Sequence, residues 1–512
     1  MAVGRAHSVA LLGIDGAVVE VEADISSQLP GFVIIGLPDA ALGEARDRVR
    51  AAALNAGLPL TSRKLTINLS PASLPKHGSG FDLAIAMAAF VADDRLPAAS
   101  VAGVVHLGEL GLDGRVRPIA GVLPAVLAAV RAGFDTVVVP AGSAPEARLV
   151  PGVRVVGVAS LREAAIFHGA ELDPVEVEPL LPVPVPVAAP PEPAGDLAEV
   201  IGNAEAVEAM QVAAAGGHHV YLLGPPGAGK TMLAARLPTL LPDLGPAQSM
   251  EVSSIRSLAG IPLGARAVTR PPLEAPHHTA SAAAIVGGGS GLIRPGAAAR
   301  AAHGVLFLDE APEFSGVALD ALRQPLESGE ITIARASGSA RFPARFQLVL
   351  AANPCPCGNA GIPGAECTCS AQVRRRYLSR LSGPLLDRVD IQLTVRRITA
   401  AQVRLAAERG GVTSAAGRSR VEEARGRAHA RLSATPWRLN AHVPGSWLRS
   451  AAGAARPGAT GVLDRALERG ALTMRGYDRV LKVAWTLADL DGVDRPGGDQ
   501  VGRALLLRKA GA

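Results

Sequence analysis

Apolar positions along the chain fall into short runs that alternate with stretches of helical spacing. In the first 170 residues, LTINL (65–69), TVVVP (136–140) and VRVVGV (153–158) read as strands. DAALGEARDRVRAAALNAG (39–57) and FDLAIAMAAFVA (81–92) read as helices. This alternation predicts a mixed α/β fold. Residues 174–193 then hold eight prolines in twenty positions. Proline fixes φ and donates no hydrogen bond, so an extended spacer is expected there. Beyond it, HVYLLGPPGAGKTMLAARL (219–237) reads as strand, glycine-rich loop and helix, and GVLFLDE (304–310) and FQLVLAANP (346–354) as buried strands. From about residue 400 the pattern is helical and arginine-rich. The predicted organisation is a domain over 1–172, a linker over 173–195, a second domain over 196–398 and a helical region over 399–512.

Composition narrows the class. The 512 residues are 48% hydrophobic but only 3% aromatic, so two to four domains with aliphatic cores are expected. No run of 18 apolar residues lacks a charge or a Pro/Gly break, and Asp15 cuts the first apolar run, so neither a membrane span nor a signal peptide is expected. The four cysteines all lie between 355 and 369, which is no disulfide scaffold. A soluble, cytoplasmic protein is the expectation. Only five residues are lysine, namely Lys64, Lys76, Lys230, Lys482 and Lys509. Residues 371–450 hold 16 arginines against five acids, a surplus of 11 where the whole chain carries +5. That concentration suits a polyanion such as nucleic acid, or else a solvated helical face.

The sharpest motif is Gly224-Pro225-Pro226-Gly227-Ala228-Gly229-Lys230-Thr231, a full GxxxxGK[ST] between an apolar strand and a helix. Its backbone N–H groups can cradle the phosphates of ATP, Lys230 can reach the β and γ phosphates, and Thr231 can ligate Mg²⁺. Asp309 and Glu310 end the apolar strand Val305–Leu308. With a phosphate loop upstream they read as Walker B, Asp309 for Mg²⁺ and Glu310 for polarising the attacking water. Asn353 follows the next strand, where a polar side chain can sense the γ-phosphate. Arg388, in LSGPLLDRVDI, reads either as an arginine finger for a neighbouring subunit or as a partner of Asp387 or Asp390. Arg475 and Arg479 share one helical face, and Arg475 is the favoured lid contact to the nucleotide.

Cys355-Pro-Cys357 and Cys367-Thr-Cys369 put four thiols within fifteen residues, enough to close a structural tetrahedral Zn²⁺ site. Two further segments look like inserts. In 276–300, His277 and His278 are adjacent and are expected to point apart, against a metal site. In 327–345, Ile331 and Ile333 alternate before a turn at Ser337-Gly338-Ser339, a hairpin carrying Arg335, Arg341 and Arg345. Such a hairpin either grips nucleic acid in a ring pore or covers the core.

Taken in order, phosphate loop, insert, VLFLDE, hairpin, LVLAANPCPCG, CTC and SGPLLDRVD, the chain resembles the YifB/ComM family of magnesium-chelatase-like AAA+ ATPases over nearly its whole length. The resemblance implies an N-terminal domain similar to that of Lon proteases (a ribosomal S5 domain 2-like fold), then an AAA+ P-loop module and a C-terminal helical lid. It also implies homo-hexameric rings and, from ComM members, an ATP-driven helicase promoting DNA branch migration. The relation to chelatase subunits supplies a second reading, an ATPase that remodels a protein partner for metal or cofactor insertion. The sequence departs from the family pattern in Ala297 after Gly296, in Trp485 where a lid arginine is usual, and in the C-terminus VGRALLLRKAGA. Pro75–Gly80 resembles the serine loop of Lon proteases. However, Gly111–Phe134, which resembles their lysine-bearing segment, contains no lysine, and Leu123 or Pro124 stands in its place. A Ser–Lys dyad needs that amine. The domain is therefore expected to be a non-catalytic scaffold.

Overall fold

The computed structural model describes residues 3–37, 39–182, 195–289, 293–335, 338–361, 365–399, 402–404 and 410–508. The first sheet has seven strands. Their spatial order is Gly31–Ile35, Lys64–Ser70, Asp15–Ser26, Gly4–Leu12, Val104–His106, Thr136–Pro140 and Arg154–Val158. The strands expected at 65–69, 136–140 and 153–158 are present. The antiparallel pair Gly4–Leu12 and Asp15–Ser26, which the apolar runs did not single out, forms the middle of the sheet. Helix Asp82–Ala92 is apolar after its first residue and buried at every position, and it packs on that pair. A helix hydrophobic all round belongs inside a core.

The second sheet is parallel, in the order Leu273–Glu274, Val305–Leu308, Gln347–Ala352, Val220–Leu223, Ile391–Thr394. Its inner strands Val305–Leu308, Gln347–Ala352 and Val220–Leu223 are largely apolar and buried, the usual pattern of parallel sheets covered on both faces. The phosphate-loop strand lies between Gln347–Ala352 and Ile391–Thr394. Ligands of open parallel sheets bind beyond the carboxyl ends of the strands, and here those ends carry Gly224, Asp309 and Asn353.

C-terminal helices Ser414–Leu432, Met474–Asp491 and Gly498–Leu506 share one apolar core with helix Ala204–Gly216 and strand Val220–Leu223. A buried polar chain pins them. The Asp390 carboxylate takes His218 Nδ1 at 2.9 Å and Arg479 Nη1 at 2.8 Å, and His218 Nε2 meets Thr486 Oγ1 at 2.7 Å. Burial works against ionisation of Asp390, but Arg479 and His218 hold it well below the usual carboxylate range.

The N-terminal sheet docks on the second α/β unit. Gly121 N–H donates to the Ser257 carbonyl at 3.1 Å, and a Cβ on Gly13 (φ +70°) would stand 2.4 Å from the Arg341 carbonyl oxygen. Of the proline-rich linker, 173–182 forms no helix or strand, and 183–194 lie outside the described residues. Among the described residues no helix is long and apolar enough to cross a membrane.

Candidate active site

The glycine-rich loop bends as the motif requires. Gly227 and Gly229 take left-handed φ of +75° and +90°, and a Cβ on Gly224 would stand 2.3 Å from the Val395 carbonyl oxygen. Helix Lys230–Leu240 starts directly from the loop, so its positive end faces the phosphate cradle. Lys230 Nζ donates to the Gly224 and Pro225 carbonyls at 2.6 and 3.0 Å and to Asn353 Oδ1 at 3.0 Å. The ammonium is buried, and burial lowers its pKa while Asp309 and Glu310 oppose the shift. Thr231 Oγ1 donates to Asp309 Oδ2 at 2.7 Å. Hydroxyl and carboxylate thus stand side by side, a fit to one hard cation taking oxygen ligands. Thus Lys230, Thr231, Asp309 and Asn353, distant in sequence, meet at one sheet end.

Glu310 is placed differently. Its backbone is left-handed at φ +50° and opens the short turn Ala311–Glu313. A non-glycine residue in that region costs on the order of 1 kcal/mol, and such residues cluster at functional sites. His278 Nδ1 lies 3.4 Å from Glu310 Oε2. The expectation that His277 and His278 point apart is corrected, because their rings lie 4.1 Å apart between centroids. Sequence reasoning missed His278 as a neighbour of Glu310, since nothing local in the insert signals it.

The four sulfurs converge. Cys355 Sγ is 3.3 Å from Cys357 Sγ and 3.7 Å from Cys367 Sγ, with Cys357 and Cys367 also 3.7 Å apart. All four ligand atoms lie within 4.8 Å of one another. Thiolates about 2.3 Å from one tetrahedral zinc would stand roughly 3.8 Å apart, so the donor set fits that ion. The Asn359 backbone N–H pulls the Cys357 thiol down to about 6. The cluster also abuts the glycine-rich loop, because a Cβ on Gly358 (φ +77°) would stand 2.6 Å from the Pro226 ring.

The two remaining predicted arginines lie elsewhere. Arg388 pairs with Glu327 and the Pro384 carbonyl, not with Asp387 or Asp390. Among the described residues no hydrogen bond or ion pair joins it to the phosphate loop of its own chain. Arg475 is exposed, and it forms an ion pair with Asp387 at 3.8 Å. It is thereby set beside the Arg388 turn, and none of its hydrogen bonds or ion pairs among the described residues reaches the phosphate loop. An arginine that the sequence reading passed over does reach it, Arg397, whose Nε donates to the Pro226 carbonyl at 3.3 Å.

Comparison with known proteins now bears directly on this site. Residues 196–403 match the family described as magnesium chelatase, subunit ChlI. Residues 21–143 match subunit ChlI of Mg-chelatase, and 411–508 its C-terminal family. Over an alignment of 515 positions that covers both chains in full, the protein is 51% identical to Rv2897c of Mycobacterium tuberculosis. It is 39% identical to competence protein ComM of Haemophilus influenzae, covering 96% of this chain and 94% of that one. It is 37% identical to YifB of Escherichia coli over the same shares. The chain belongs to the magnesium-chelatase-like YifB/ComM family. Its α/β, AAA+-like fold and phosphate-loop site are those of an ATPase of the YifB/ComM type.

A partial match, 30% identical over 182 residues, covers 33% of this chain and 23% of the Lon protease of Mycolicibacterium smegmatis. Against this family background, Trp485 is a core residue. It is buried, its indole N–H donates to the Gly453 carbonyl at 2.9 Å, and the Arg431 guanidinium lies 4.1 Å over its ring. The hairpin Glu330–Arg335 and Gly338–Pro343 buries Ile331, Ala340 and Phe342, so its base covers the core. The tip at 336–337, including Ser337, lies outside the described residues, as does Lys509.

Proposed function

We propose that this YifB/ComM-family protein is a Mg²⁺-dependent ring ATPase that moves on DNA, a branch-migration helicase of the ComM kind. The observation carrying the ATPase half is the convergence of Lys230, Thr231, Asp309 and Asn353 at one sheet end, with Glu310 beside Asp309. In this reading the loop amides and Lys230 bind the ATP phosphates, and Asn353 fixes Lys230 and senses the γ-phosphate. Thr231 and Asp309 hold Mg²⁺, which when bound supplies charge neutralisation on the phosphate oxygens. Glu310 takes a proton from the attacking water, with His278 orienting its carboxylate. Phosphoryl transfer leaves ADP and phosphate.

Arg388 serves the neighbouring subunit's site in a homo-hexamer, exchanging Glu327 for phosphate, and Arg475 supports that turn from the lid. The four cysteines hold a structural Zn²⁺, which metal analysis of the purified protein tests; a ratio near one per chain is expected. The organisation is a domain over 1–172, a linker over 173–195, an ATPase core over 196–398 and a lid over 399–512. Its N-terminal domain is a Lon-like scaffold without protease chemistry. Among the described residues no lysine amine reaches Ser79: its hydroxyl pairs with Glu109, and Lys76 Nζ is held by the Gly36, Leu69 and Pro71 carbonyls.

The DNA half rests on the arginine surplus and on the similarity to ComM. It is tested by ATP turnover with single-stranded, forked and three-stranded DNA. Stimulation and strand displacement are expected, and their absence with all three would overturn the motor. Stimulation by a metal-insertion partner instead would favour the chelatase-like reading, which the match to the magnesium chelatase family supports.

A further inference from the structure

The arginine-rich stretch is less uniform in space than in sequence. Arg425 donates to the Ala214 carbonyl and Arg431 to Asp489 and Asn440. Arg418 pairs with Glu422 and Asp243, and Arg380 with Glu313. These side chains hold the fold together. Arg374, Arg375 and Arg376 differ. All three are exposed on helix Ala371–Leu378, and among the described residues none of their side chains forms a hydrogen bond or ion pair. Successive helical residues turn by about 100°, so the three guanidinium groups fan across the outward face while Tyr377 turns inward. Unpaired arginines grouped this way create a positive field with open fork-shaped donors, which suits phosphodiester oxygens.

The helix bearing them is fastened at both ends to the ATP site. At its start, Ser370 caps the helix by accepting from Val373 N–H, directly after Cys369 of the sulfur cluster. The other end of that cluster is Cys355, two residues beyond Asn353. Past the helix, Arg380 Nη1 donates to the Pro312 carbonyl at 3.2 Å and to Glu313 Oε2 at 3.1 Å, in the turn that begins after Glu310. Between these ties Tyr377 is buried. Burial pushes its phenol up to about 12, Glu313 and Glu310 add to the shift, and the Asn353 backbone opposes it. Tyr377 therefore sits among the sensor and Walker B segments.

We infer that Arg374, Arg375 and Arg376 form a docking surface for nucleic-acid backbone phosphates, and that their helix relays its occupancy to Asn353 and Glu310. The inference rests on the DNA reading above and adds to it a place and a route. A ligand that pulls on this helix moves the two segments that must close on ATP.

The test uses the full chain carrying Arg374→Ala, Arg375→Ala and Arg376→Ala together, with a fluorescent single-stranded oligonucleotide titrated at several NaCl concentrations. Wild type should bind with a steep salt dependence. The variant should bind at least about tenfold more weakly, with a log–log salt slope lower by about 2, as expected for three lost phosphate contacts on a single strand. Its basal ATP turnover should be unchanged and its DNA-stimulated increment lost, and the triple lysine variant should recover most of the binding. Wild-type affinity and slope in the alanine variant would overturn the inference while leaving the DNA motor standing. Wild type that neither binds nor responds to the oligonucleotide would overturn both. Stimulation by polyglutamate but not by the oligonucleotide would assign the surface to an acidic protein and overturn the inference. Retained binding with loss of stimulation in Tyr377→Phe would support the relay; undiminished stimulation would overturn it.

Discussion

Two lysines, one in each α/β part of the molecule, are both buried and both held by backbone carbonyls. Lys76 donates to the Gly36 and Leu69 carbonyls at 2.9 and 3.0 Å and to that of Pro71. Lys230 donates to the Gly224 and Pro225 carbonyls. Burial lowers the pKa of each. The difference lies in the company they keep. Lys230 has a side-chain partner, Asn353, and two carboxylates, Asp309 and Glu310, acting on it at the mouth of the phosphate loop. Lys76 is fully enclosed and satisfied by three carbonyls, while Ser79 nearby bonds to Glu109. A buried amine does not by itself announce chemistry. The groups around it decide whether it closes a fold or meets a substrate.

That contrast can be broken by substitution. Lys230→Ala should lower ATP turnover by at least about a hundredfold, since removing a charged transition-state contact costs roughly 3 kcal/mol or more. Its stability loss should be smaller than that of Lys76→Met, because the loop is exposed at Pro226 and Gly227 and water can replace the amine; near-normal turnover would erase the distinction. Lys76→Met should do the reverse. It leaves three buried carbonyls short of a donor, so a stability loss of about 2–4 kcal/mol is expected. Turnover per folded molecule should be retained, as read by active-site titration alongside denaturant unfolding.

A smaller effect concerns Asp82, buried in the N-terminal domain and paired with Arg48 at 2.7 Å. Burial pushes its carboxyl up to about 6 despite that partner. An unfolded aspartate titrates near 3.9, so between about pH 4 and 6 the folded domain binds the extra proton. This group's contribution is therefore favourable below that window and is lost as pH rises through 6. Hydrogen exchange in helix Asp82–Ala92, corrected for intrinsic rates, should show protection falling from pH 5 to pH 7, by about 1 kcal/mol. Asp82→Asn should flatten the change; an unaltered slope would refute the assignment.

How much was legible in advance follows from how local each signal is. The phosphate loop and Walker B pair lie in contiguous strings whose flanking strands are apolar runs, so residues 224–231, 309 and 310 were readable directly. The four cysteines were readable from spacing, and their sulfurs do gather within 4.8 Å. The strands Gly4–Leu12 and Asp15–Ser26 were not, because half-buried antiparallel strands interleave polar residues such as Glu20 and Glu22 that break up an apolar run. Nothing near His278 in the chain points to Glu310, thirty-two residues away. The arginine surplus was countable, yet the count could not separate Arg431, enclosed by Asp489 and Trp485, from Arg375, open on the surface.

The sequence alone thus determined the α/β class, the glycine-rich motif at 224–231, the carboxylates at 309 and 310, the cysteine set and the missing lysine in 111–134. Each is a matter of residue type at short range, where local geometry leaves few alternatives. The tertiary structure decided which side chains meet. It brought Asn353 to Lys230, set Arg475 beside Asp387, turned Trp485 into core and left the arginines of 374–376 exposed on their helix. Such pairings depend on crossovers between parallel strands and on which elements a buried face packs against, and a linear pattern does not encode either.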